Sequence, residues 1–175
     1  MRSKEGRSAV IHWSLLSFII IVIWLIGSVT QAGAETQKFR ITTYVTHFEV
    51  LPVGDVEGHI LGTVSRKGLV FFENGEIATY TVWVTIDLIK GNGSFQGYSL
   101  TTYQDGSTQV NKLLGTLEAG MYKFKGEYVK GTKRFEGIKG TIASTGKSLT
   151  PYSKEKGTFS DVYFDVTGTY TLPSK

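Results

Sequence analysis

The stretch that decides the fold is Gly131-Thr-Lys-Arg-Phe-Glu-Gly-Ile-Lys-Gly140, and it follows the run Tyr122-Lys-Phe-Lys-Gly-Glu-Tyr128. Apolar and charged residues alternate along that run, which is typical of a β-strand with one buried face. Glycines stand where this strand ends, where the chain reverses and where the next strand begins. Phe135 lies where its ring can close the turn against a core. The stretch therefore predicts two antiparallel strands joined by a turn with a buried aromatic side chain.

The same period of two continues over most of the chain after residue 38, and apolar residues at helical spacing are rare. The clearest strand is 76–90, whose even positions form one unbroken apolar face that consists of Ala78, Tyr80, Val82, Val84, Ile86 and Leu88. Turn signals such as Asn74-Gly75 and Asp105-Gly106 separate neighbouring strands. The pattern predicts eight strands, at 38–51, 58–72, 76–90, 94–104, 107–117, 121–130, 137–144 and 157–172.

Short strands at even spacing are typical of a β-sandwich or a β-barrel. A short sequence pattern occurs four times, in which a glycine stands two residues after a large side chain. The pairs are Phe95 and Gly97, Phe124 and Gly126, Phe135 and Gly137, and Val166 and Gly168. A glycine weakens a strand unless the sheet bends sharply there. This recurring pattern therefore favours a single sheet that curves into a closed antiparallel barrel.

Two sequence segments resemble a known superfamily. The Gly131–Gly140 stretch resembles the Gly-x-Gly-x-Phe hairpin near the end of allene oxide cyclase-like and dirigent-like β-barrels. The run Tyr44-Val-Thr-His-Phe-Glu49 resembles the aromatic-x-x-His-acidic start of dirigent-like domains, although Phe48 separates the histidine from the acid here. The central run 68–76, followed by Gly97-Tyr98, is similar to uncharacterised bacterial members of the same superfamily.

This resemblance implies an eight-stranded antiparallel barrel that is often oligomeric. It also implies a lumen that holds a hydrophobic molecule and sometimes steers its cyclisation or coupling. The plant cyclase uses an acid and an asparagine on its first strand. This chain offers Glu49 with His47 nearby, but no clear counterpart of the asparagine.

Residues 1–34 have the three-part pattern of an export signal peptide. The basic start is formed by Arg2, Lys4 and Arg7. An apolar segment of 14 residues follows, Trp13–Ile26, and Ala32-Gly33-Ala34 is the small-x-small pattern that a signal peptidase cleaves. We expect cleavage before Glu35, with residues 35–175 forming one β-barrel domain in the periplasm or outside the cell.

The alternative is an uncleaved membrane anchor at residues 9–26, since a spanning helix needs about 20 predominantly apolar residues. Membrane contact is expected only through this segment. The chain has no cysteine, so neither a lipoprotein anchor nor a disulfide is available, and the fold must close on its apolar core.

The charge balance argues against nucleic-acid binding. The precursor has 19 basic and 15 acidic residues, and removal of residues 1–34 leaves a net charge of about +2. The densest basic group lies at 123–139 and is interrupted by Glu127 and Glu136. A nucleic-acid footprint would be a continuous basic face. We therefore expect these charges to lie on the solvated side of strands.

Catalytic motifs are absent from the sequence: it lacks Gly-x-Ser-x-Gly, the paired-histidine zinc motif, the phosphate-binding loop and the dinucleotide fingerprint. The candidates for general acid and base are Glu49 and His47, which share one face of the first strand. Along that strand one side carries Phe39, Ile41, Val45 and Leu51 and the other carries Tyr44, Phe48 and Val50.

If the face of His47 and Glu49 looks into the lumen, these groups could act as general acid or base on a bound ligand, or could hold a metal together with His59. His59 with Asp55 is a second pair of this kind. A surface or hydrogen-bonded structural role is preferred for all four residues, because no spacing rule selects them. We expect no metal and no cofactor.

Tyrosines could line a ligand cavity with an apolar body and a polar tip. The candidate ligand-binding residues are Tyr44, His59, Tyr80, Tyr98 and Tyr122. Core packing is the preferred role of the tyrosines, because burial of one large side chain stabilises a fold by roughly 1.5–3 kcal/mol. An eight-stranded barrel is just wide enough to be filled by side chains or to hold one small ligand.

Three functions remain open. The preferred one is an exported, non-catalytic barrel that binds a small hydrophobic ligand or a protein partner. The second is a cyclase or isomerase that acts on a hydrophobic substrate in the lumen. The third is a structural envelope subunit that forms homo-oligomers through its outer strand faces, with Trp83 exposed. A filled lumen would argue against the first two functions in their small-molecule form, whereas an open pocket that contains Glu49 or His47 with a perturbed pKa would favour the enzyme.

Overall fold

The computed structural model describes residues 33–149 and 161–174, and the predicted export signal at 1–34 therefore lies almost wholly outside the described residues. The described residues form eight strands and one short 3₁₀ helix. The strands are β1 Glu35–Pro52, β2 His59–Phe72, β3 Ile77–Ile89, β4 Asn92–Thr102, β5 Thr108–Glu118, β6 Met121–Gly131, β7 Lys139–Ser148 and β8 Val162–Thr171. The 3₁₀ helix, Lys133–Phe135, joins β6 to β7.

Each strand pairs antiparallel with the next, and β8 pairs with β1, so the sheet closes into a barrel. The predicted fold class is confirmed. Closure joins residues far apart in sequence, since Glu35 lies opposite Tyr170. The register places Trp83 of β3 between Ser65 of β2 and Tyr98 of β4.

A bulge in β1 corrects one part of the sequence-based prediction. The β1–β2 register shifts between Val45 and His47. One extra residue moves every later side chain of the strand to the opposite face. Phe48 and Val50 therefore pack against the core together with Phe39, and Leu51 is exposed. The alternation had placed Phe48 and Val50 opposite Phe39, because a sequence pattern does not reveal a bulge.

Large and small side chains alternate around the inside of the barrel. Gly115 lies between Phe95 on β4 and Phe124 on β6 in the register, and a Cβ at this position would clash with the ring of Phe95. The same arrangement recurs on the adjacent strands β6, β7 and β8 in the set Tyr122, Gly146 and Phe164. This alternation lets aromatic rings fill a narrow lumen.

Three glycines of the recurring pattern lie inside strands: Gly97, Gly126 and Gly168. The alternating burial along each strand shows that all three face the lumen. A Cβ at Gly168 would clash with the hydroxyl of Tyr128. Gly137 differs from them, because it lies in the turn after the 3₁₀ helix with a φ of 74°. Glycine is therefore needed at these strand positions mainly because neighbouring strands and side chains approach the backbone closely there.

One end of the barrel is closed by a chain of aromatic rings. Phe135, the aromatic predicted to plug the turn, is buried. Its ring centroid lies 4.8 Å from that of Tyr103 and 6.3 Å from that of Tyr170. Phe72 stacks on the other side of Tyr103 at 5.3 Å. Within residues 33–149 and 161–174, no helix has the length and apolar content that crossing a bilayer requires.

Candidate functional site

His47 and Glu49 lie side by side as predicted, but on the outside of the barrel. Their side chains are 63% and 75% exposed, and His47 Nε2 lies 3.9 Å from Glu49 Oε2. The bulge after Val45 gives this face to solvent. The condition for an acid-base role on a lumen ligand, that their face looks inward, is therefore not met in this structure.

The structure divides the predicted ligand-binding tyrosines between the two sides of the sheet. Tyr80 and Tyr122 are buried in the lumen, whereas Tyr44 and Tyr98 are about half exposed on the outer surface. Burial raises the pKa of Tyr80 to about 12, and a hydrogen bond with Ser99 partly offsets this effect. Tyr80 thus keeps its proton at neutral pH and acts there as a neutral hydroxyl group.

The lumen contains a cavity of about 50 Å³. Its walls are mainly aliphatic and aromatic, and they include Val64, Val82, Ile86, Phe95, Leu113 and Phe164. Arg66 and the two buried tyrosines, Tyr80 and Tyr122, also line it. A ligand pocket for a drug-sized molecule measures about 300–1,000 Å³. The cavity is therefore on the order of two water molecules, each of which occupies about 30 Å³ in the liquid.

Arg66 is a lumen residue that the sequence analysis missed. It is 6% exposed, and burial lowers the pKa of its guanidinium group while Tyr122 and Asp161 act in the opposite direction. The sequence did indicate its direction, because Arg66 lies an even number of positions from the buried Val64 and Val70 of β2 and therefore faces the same side of the sheet. A charged residue at an inward position was not recognised among the scattered basic residues.

A layer of polar side chains crosses the lumen next to the aromatic end. The Tyr103 hydroxyl donates to Gln109 Oε1 at 2.9 Å, and Asn111 Nδ2 donates to Ser99 Oγ at 3.5 Å. Five buried side-chain atoms have no hydrogen-bond partner in the described structure: Gln37 Oε1, Thr43 Oγ1, Gln109 Nε2, Asn111 Oδ1 and Tyr128 OH. The lumen is thus apolar around its cavity and polar beneath the aromatic end.

The strands place no acid in the lumen itself. Their inward positions carry no aspartate or histidine, and the one acidic residue of that parity, Glu35, is exposed at the rim. There the Tyr170 hydroxyl donates to Glu35 Oε2 at 2.7 Å. The eight strands therefore add no carboxylate to the lumen, and the acid whose charge acts on Arg66 is Asp161, which directly precedes β8.

His59 bridges two carboxylates on the outside of the barrel. Its Nδ1 lies 2.6 Å from Asp55 Oδ1 and its Nε2 lies 2.9 Å from Asp87 Oδ1. The sequence had paired His59 with Asp55, and Asp87 is the partner that only the β2–β3 pairing supplies. Hydrogen bonds to Asp87 and Asp55 raise the pKa of His59, and the bond from His59 lowers the pKa of Asp55.

This arrangement favours a doubly donating imidazolium group. The carboxylates approach different ring nitrogens, so the three groups do not converge on one point, and no set of three His, Asp or Glu side chains in the described residues has metal-binding geometry. The bridge ties the turn after β1 to the end of β3. Lys90 supports the same turn, since its backbone N–H donates to the Gly58 carbonyl at 2.9 Å.

The outer surfaces of β2, β3 and β4 form a continuous face that is poor in charge, and we call it the β2–β4 face. Beyond His59 at its edge, the outward positions of these fully described strands carry two charged residues, Lys67 and Asp87. Trp83 and Tyr98 are opposite each other near its centre and are 48% and 49% exposed. The remaining exposed apolar side chains on it are Leu61, Leu69, Phe71, Ile77 and Ile89.

The outward side of β5–β8, by contrast, is rich in charged residues. The outer positions of β5–β8 carry nine charged residues, which are Lys112, Glu118, Lys123, Lys125, Glu127, Lys130, Lys139, Lys147 and Asp165. Depletion of charge together with exposed tryptophan and tyrosine is the composition that marks the core of a protein interface. The barrel thus has one solvated side and one side with interface composition.

Comparison with known proteins shows likeness of fold. No family model matches the chain, and no curated protein matches its sequence. One similar solved structure is a protein of unknown function from the DUF3224 family of Shewanella oneidensis, at 15% identity, with a TM-score of 0.46, covering 82% of this chain and 100% of that one. Another is a pterocarpan synthase dirigent protein, at 13% identity and a TM-score of 0.46, covering 83% of this chain and 95% of that one. Both likenesses concern the fold alone and carry no information on activity.

Proposed function

We propose that the protein is an exported, non-catalytic barrel that binds a protein partner through the β2–β4 face. The observation that carries the proposal is the contrast between a nearly filled lumen and an exposed Trp83–Tyr98 pair on a face with two charges. Scattered single apolar residues on a surface need no explanation, but an exposed tryptophan beside an exposed tyrosine on a charge-poor face has the composition of an interface core. This proposal develops the partner-binding form of the preferred prediction.

The size of the lumen weighs against a hydrophobic small molecule as the main ligand. A cavity of about 50 Å³ is several-fold smaller than the roughly 300 Å³ at which ligand pockets begin. A cyclase would also need an acid or base close to its substrate. Glu49 and His47 are exposed on the outer surface, away from the lumen.

Native mass spectrometry of protein purified from its own cells tests the proposal. We expect a complex with a protein partner, no retained hydrophobic molecule, and loss of the complex in Trp83→Lys. Leu114→Lys is the matched control, because Leu114 is a 65% exposed apolar residue on β5, outside the face. A stoichiometric small molecule without any protein partner would contradict the proposal and favour a ligand in the lumen.

Export remains part of the proposal. Cleavage between Ala34 and Glu35 would leave the barrel intact, since β1 begins at Glu35. N-terminal sequencing of the protein from its own cells tests this, and a mature chain that starts at Glu35 is expected. A chain that keeps residues 9–26 and sediments with membranes would favour the anchor.

A further inference from the structure

A groove of about 1120 Å³ runs across the outside of the barrel, perpendicular to its strands. Its walls come from β5, β6, β7, β8 and β1, and its ends reach Ser94 on β4 and Phe71 on β2. Between β5 and β1 the groove covers four of the eight steps from strand to strand around the closed sheet. A ligand that fills it must therefore bend around half of the barrel's circumference.

Two neighbouring rows of outward side chains form the groove. In the strand register one row consists of Lys123, Thr145, Asp165 and Arg40, and the other consists of Lys125, Ala143, Thr167 and Lys38. Each row thus begins and ends with a cation, and three of the four side chains between the cations are small. Three steps of about 4.8 Å from strand to strand place the two cations of one row roughly 14 Å apart along the sheet.

The lysines of these rows are free to bind a ligand. Within residues 33–149 and 161–174, the ammonium groups of the three lysines make no ion pair and no hydrogen bond. Arg40 differs, since its Nε donates to Asp165 Oδ1 at 3.3 Å. The same carboxylate accepts from the Tyr163 hydroxyl at 2.7 Å, so Asp165 is already paired within the barrel. Glu73, the other acid that lines the groove, lies at its β2 end.

The curvature of the groove excludes flat and rigid partners. A bilayer surface or a double helix meets a convex barrel along one side and cannot follow a groove around half of it. A peptide strand is also disfavoured, because closure leaves no free edge to which a strand could be added. A flexible single-stranded nucleic acid is held largely by bases that stack on aromatic rings. Phe71, at one end, is the one exposed aromatic side chain among the residues that line the groove.

We propose that this groove binds a linear anionic polysaccharide. Such a chain is flexible enough to follow the barrel, and its acidic groups would meet the lysines at the two ends of the rows. Its hydroxyl groups would find matching donors and acceptors in Thr116, Thr145 and Thr167, which line the groove. The site is separate from the Trp83–Tyr98 pair of the β2–β4 face, so the inference goes beyond the proposed function and does not depend on it.

Isothermal titration calorimetry with polygalacturonate tests the charge requirement, on protein purified from its own cells. Fully methyl-esterified polygalacturonate is the matched uncharged chain. We expect the acid form to bind at low ionic strength, more weakly as salt is added, and the ester not to bind. Lys123→Gln combined with Lys125→Gln should weaken binding about fivefold or more. Lys112→Gln combined with Lys130→Gln removes the same charge from β5 and β6 outside the groove, and should change the affinity by less than about twofold.

A second pair of variants tests the groove itself without changing any charge. Ala143 is exposed in the middle of the groove, so Ala143→Trp should fill the groove, keep the circular dichroism spectrum and abolish binding. Thr141→Trp is the matched control, because Thr141 is the next outward position of β7 and lies outside the groove. It should bind polygalacturonate as the wild type does.

Three results would overturn the inference. Equal losses in the two double lysine variants would show diffuse attraction to the whole basic surface. Tighter binding of single-stranded oligothymidylate than of polygalacturonate would assign the groove to nucleic acid. Failure to bind both polygalacturonate and dextran sulfate at low ionic strength would leave the groove without an anionic chain. None of these results bears on the Trp83-dependent complex, so the proposed function is tested separately.

Discussion

Tyr128 brings a hydroxyl group into the lumen and meets Gly168 there. The hydroxyl oxygen is buried without a hydrogen-bond partner in the described structure, and it occupies the space that a Cβ at position 168 would need. Its ring contacts Tyr170 at 5.9 Å in an edge-on arrangement. An unpartnered buried hydroxyl contributes little to stability, so shape is the main role of Tyr128.

We predict that Gly168→Ala lowers the free energy of unfolding by about 1–3 kcal/mol through overpacking. Tyr128→Phe removes the clashing oxygen and should by itself change stability by less than about 1 kcal/mol. The double variant should recover at least about 1 kcal/mol of the loss, measured by urea unfolding in a double-mutant cycle. Gly146→Ala, which clashes with Phe164, should show no such recovery with Tyr128→Phe.

His59 couples the turn after β1 to the end of β3 through its protonation state. Both ring nitrogens face carboxylates, at 2.6 Å and 2.9 Å. Nearby, Lys90 pairs with Glu57 at 3.4 Å on the same turn. The neutral ring would donate only one of its two hydrogen bonds, so the bridge is strongest when His59 is charged.

The pKa of His59 is raised in the folded state. Its contribution to stability is therefore fully present below the ordinary pKa of about 6.5 and is lost as the pH rises through the folded-state value. The contribution of Asp55, whose pKa is lowered, is present above about 3.9 and is lost as the pH falls. We predict that the stability difference between wild type and His59→Gln is largest near pH 5–6 and shrinks toward pH 9.

Urea unfolding at intervals of one pH unit measures this effect. In a background that carries Asp55→Asn and Asp87→Asn, the pH dependence of the His59→Gln difference should disappear. A difference that stays constant from pH 5 to pH 9 in the wild-type background would show that the bridge does not titrate in this range.

At the scale of elements, the 3₁₀ helix between β6 and β7 closes one end of the barrel. Phe135 enters the aromatic chain, and the Arg134 guanidinium lies over the rings of Tyr103 and Phe135 at 4.5 Å and 4.8 Å. Glu76 and Asp105 pair with Arg134 from the β2–β3 and β4–β5 turns. The Arg134 guanidinium and the Phe135 ring therefore connect the β2–β3, β4–β5 and β6–β7 turns at this end of the barrel.

We predict that Phe135→Ala lowers the free energy of unfolding by about 3–5 kcal/mol, because it leaves a cavity among fixed aromatic rings. Phe135→Leu keeps most of the volume and should cost less than about 1.5 kcal/mol. Guanidinium unfolding followed by tyrosine fluorescence measures both variants. Phe71→Ala is the control, since Phe71 is 39% exposed on the outer surface, and its cost should stay below about 1 kcal/mol. Equal losses in Phe71→Ala and Phe135→Ala would contradict the role of the plug.

At the scale of the whole molecule, closure through β1 and β8 removes every sheet edge. The register between these strands runs over nine opposed pairs, from Glu35–Tyr170 to Thr43–Val162. An open sheet would leave both strands with unpaired backbone groups. Closure therefore makes the terminal strands part of the same cooperative unit as the central ones.

We predict that backbone amides of β1 and β8 exchange with solvent about as slowly as those of β3 and β4. Native-state hydrogen exchange followed by mass spectrometry measures this, since exchange free energies range from near zero in frayed segments to the global value in core strands. Rapid exchange in Lys38–Thr43 together with Val162–Thr167 would indicate that the barrel opens at this seam.

Much of the fold was predictable because local physics specifies it. The alternation along Ile77–Ile89 defined β3 to within one residue at each end, and the structure buries Ala78, Tyr80, Val82, Ile86 and Leu88 as predicted. Phe135 was recognised from the glycines around it. The candidate site was harder to predict, because a single extra residue in β1 decides whether the side chains of His47 and Glu49 face the lumen or the solvent.

By itself, the sequence determined the strands, their turns and the apolar face of each, since a period of two and turn-forming residues act over a few positions. Only the tertiary structure decided which groups meet across strands. It joined His59 to Asp87, filled the lumen around Arg66 and collected the charge-poor outer positions of three strands into one face. These features depend on register and closure, which are set by pairing between distant residues and leave no local pattern in the chain.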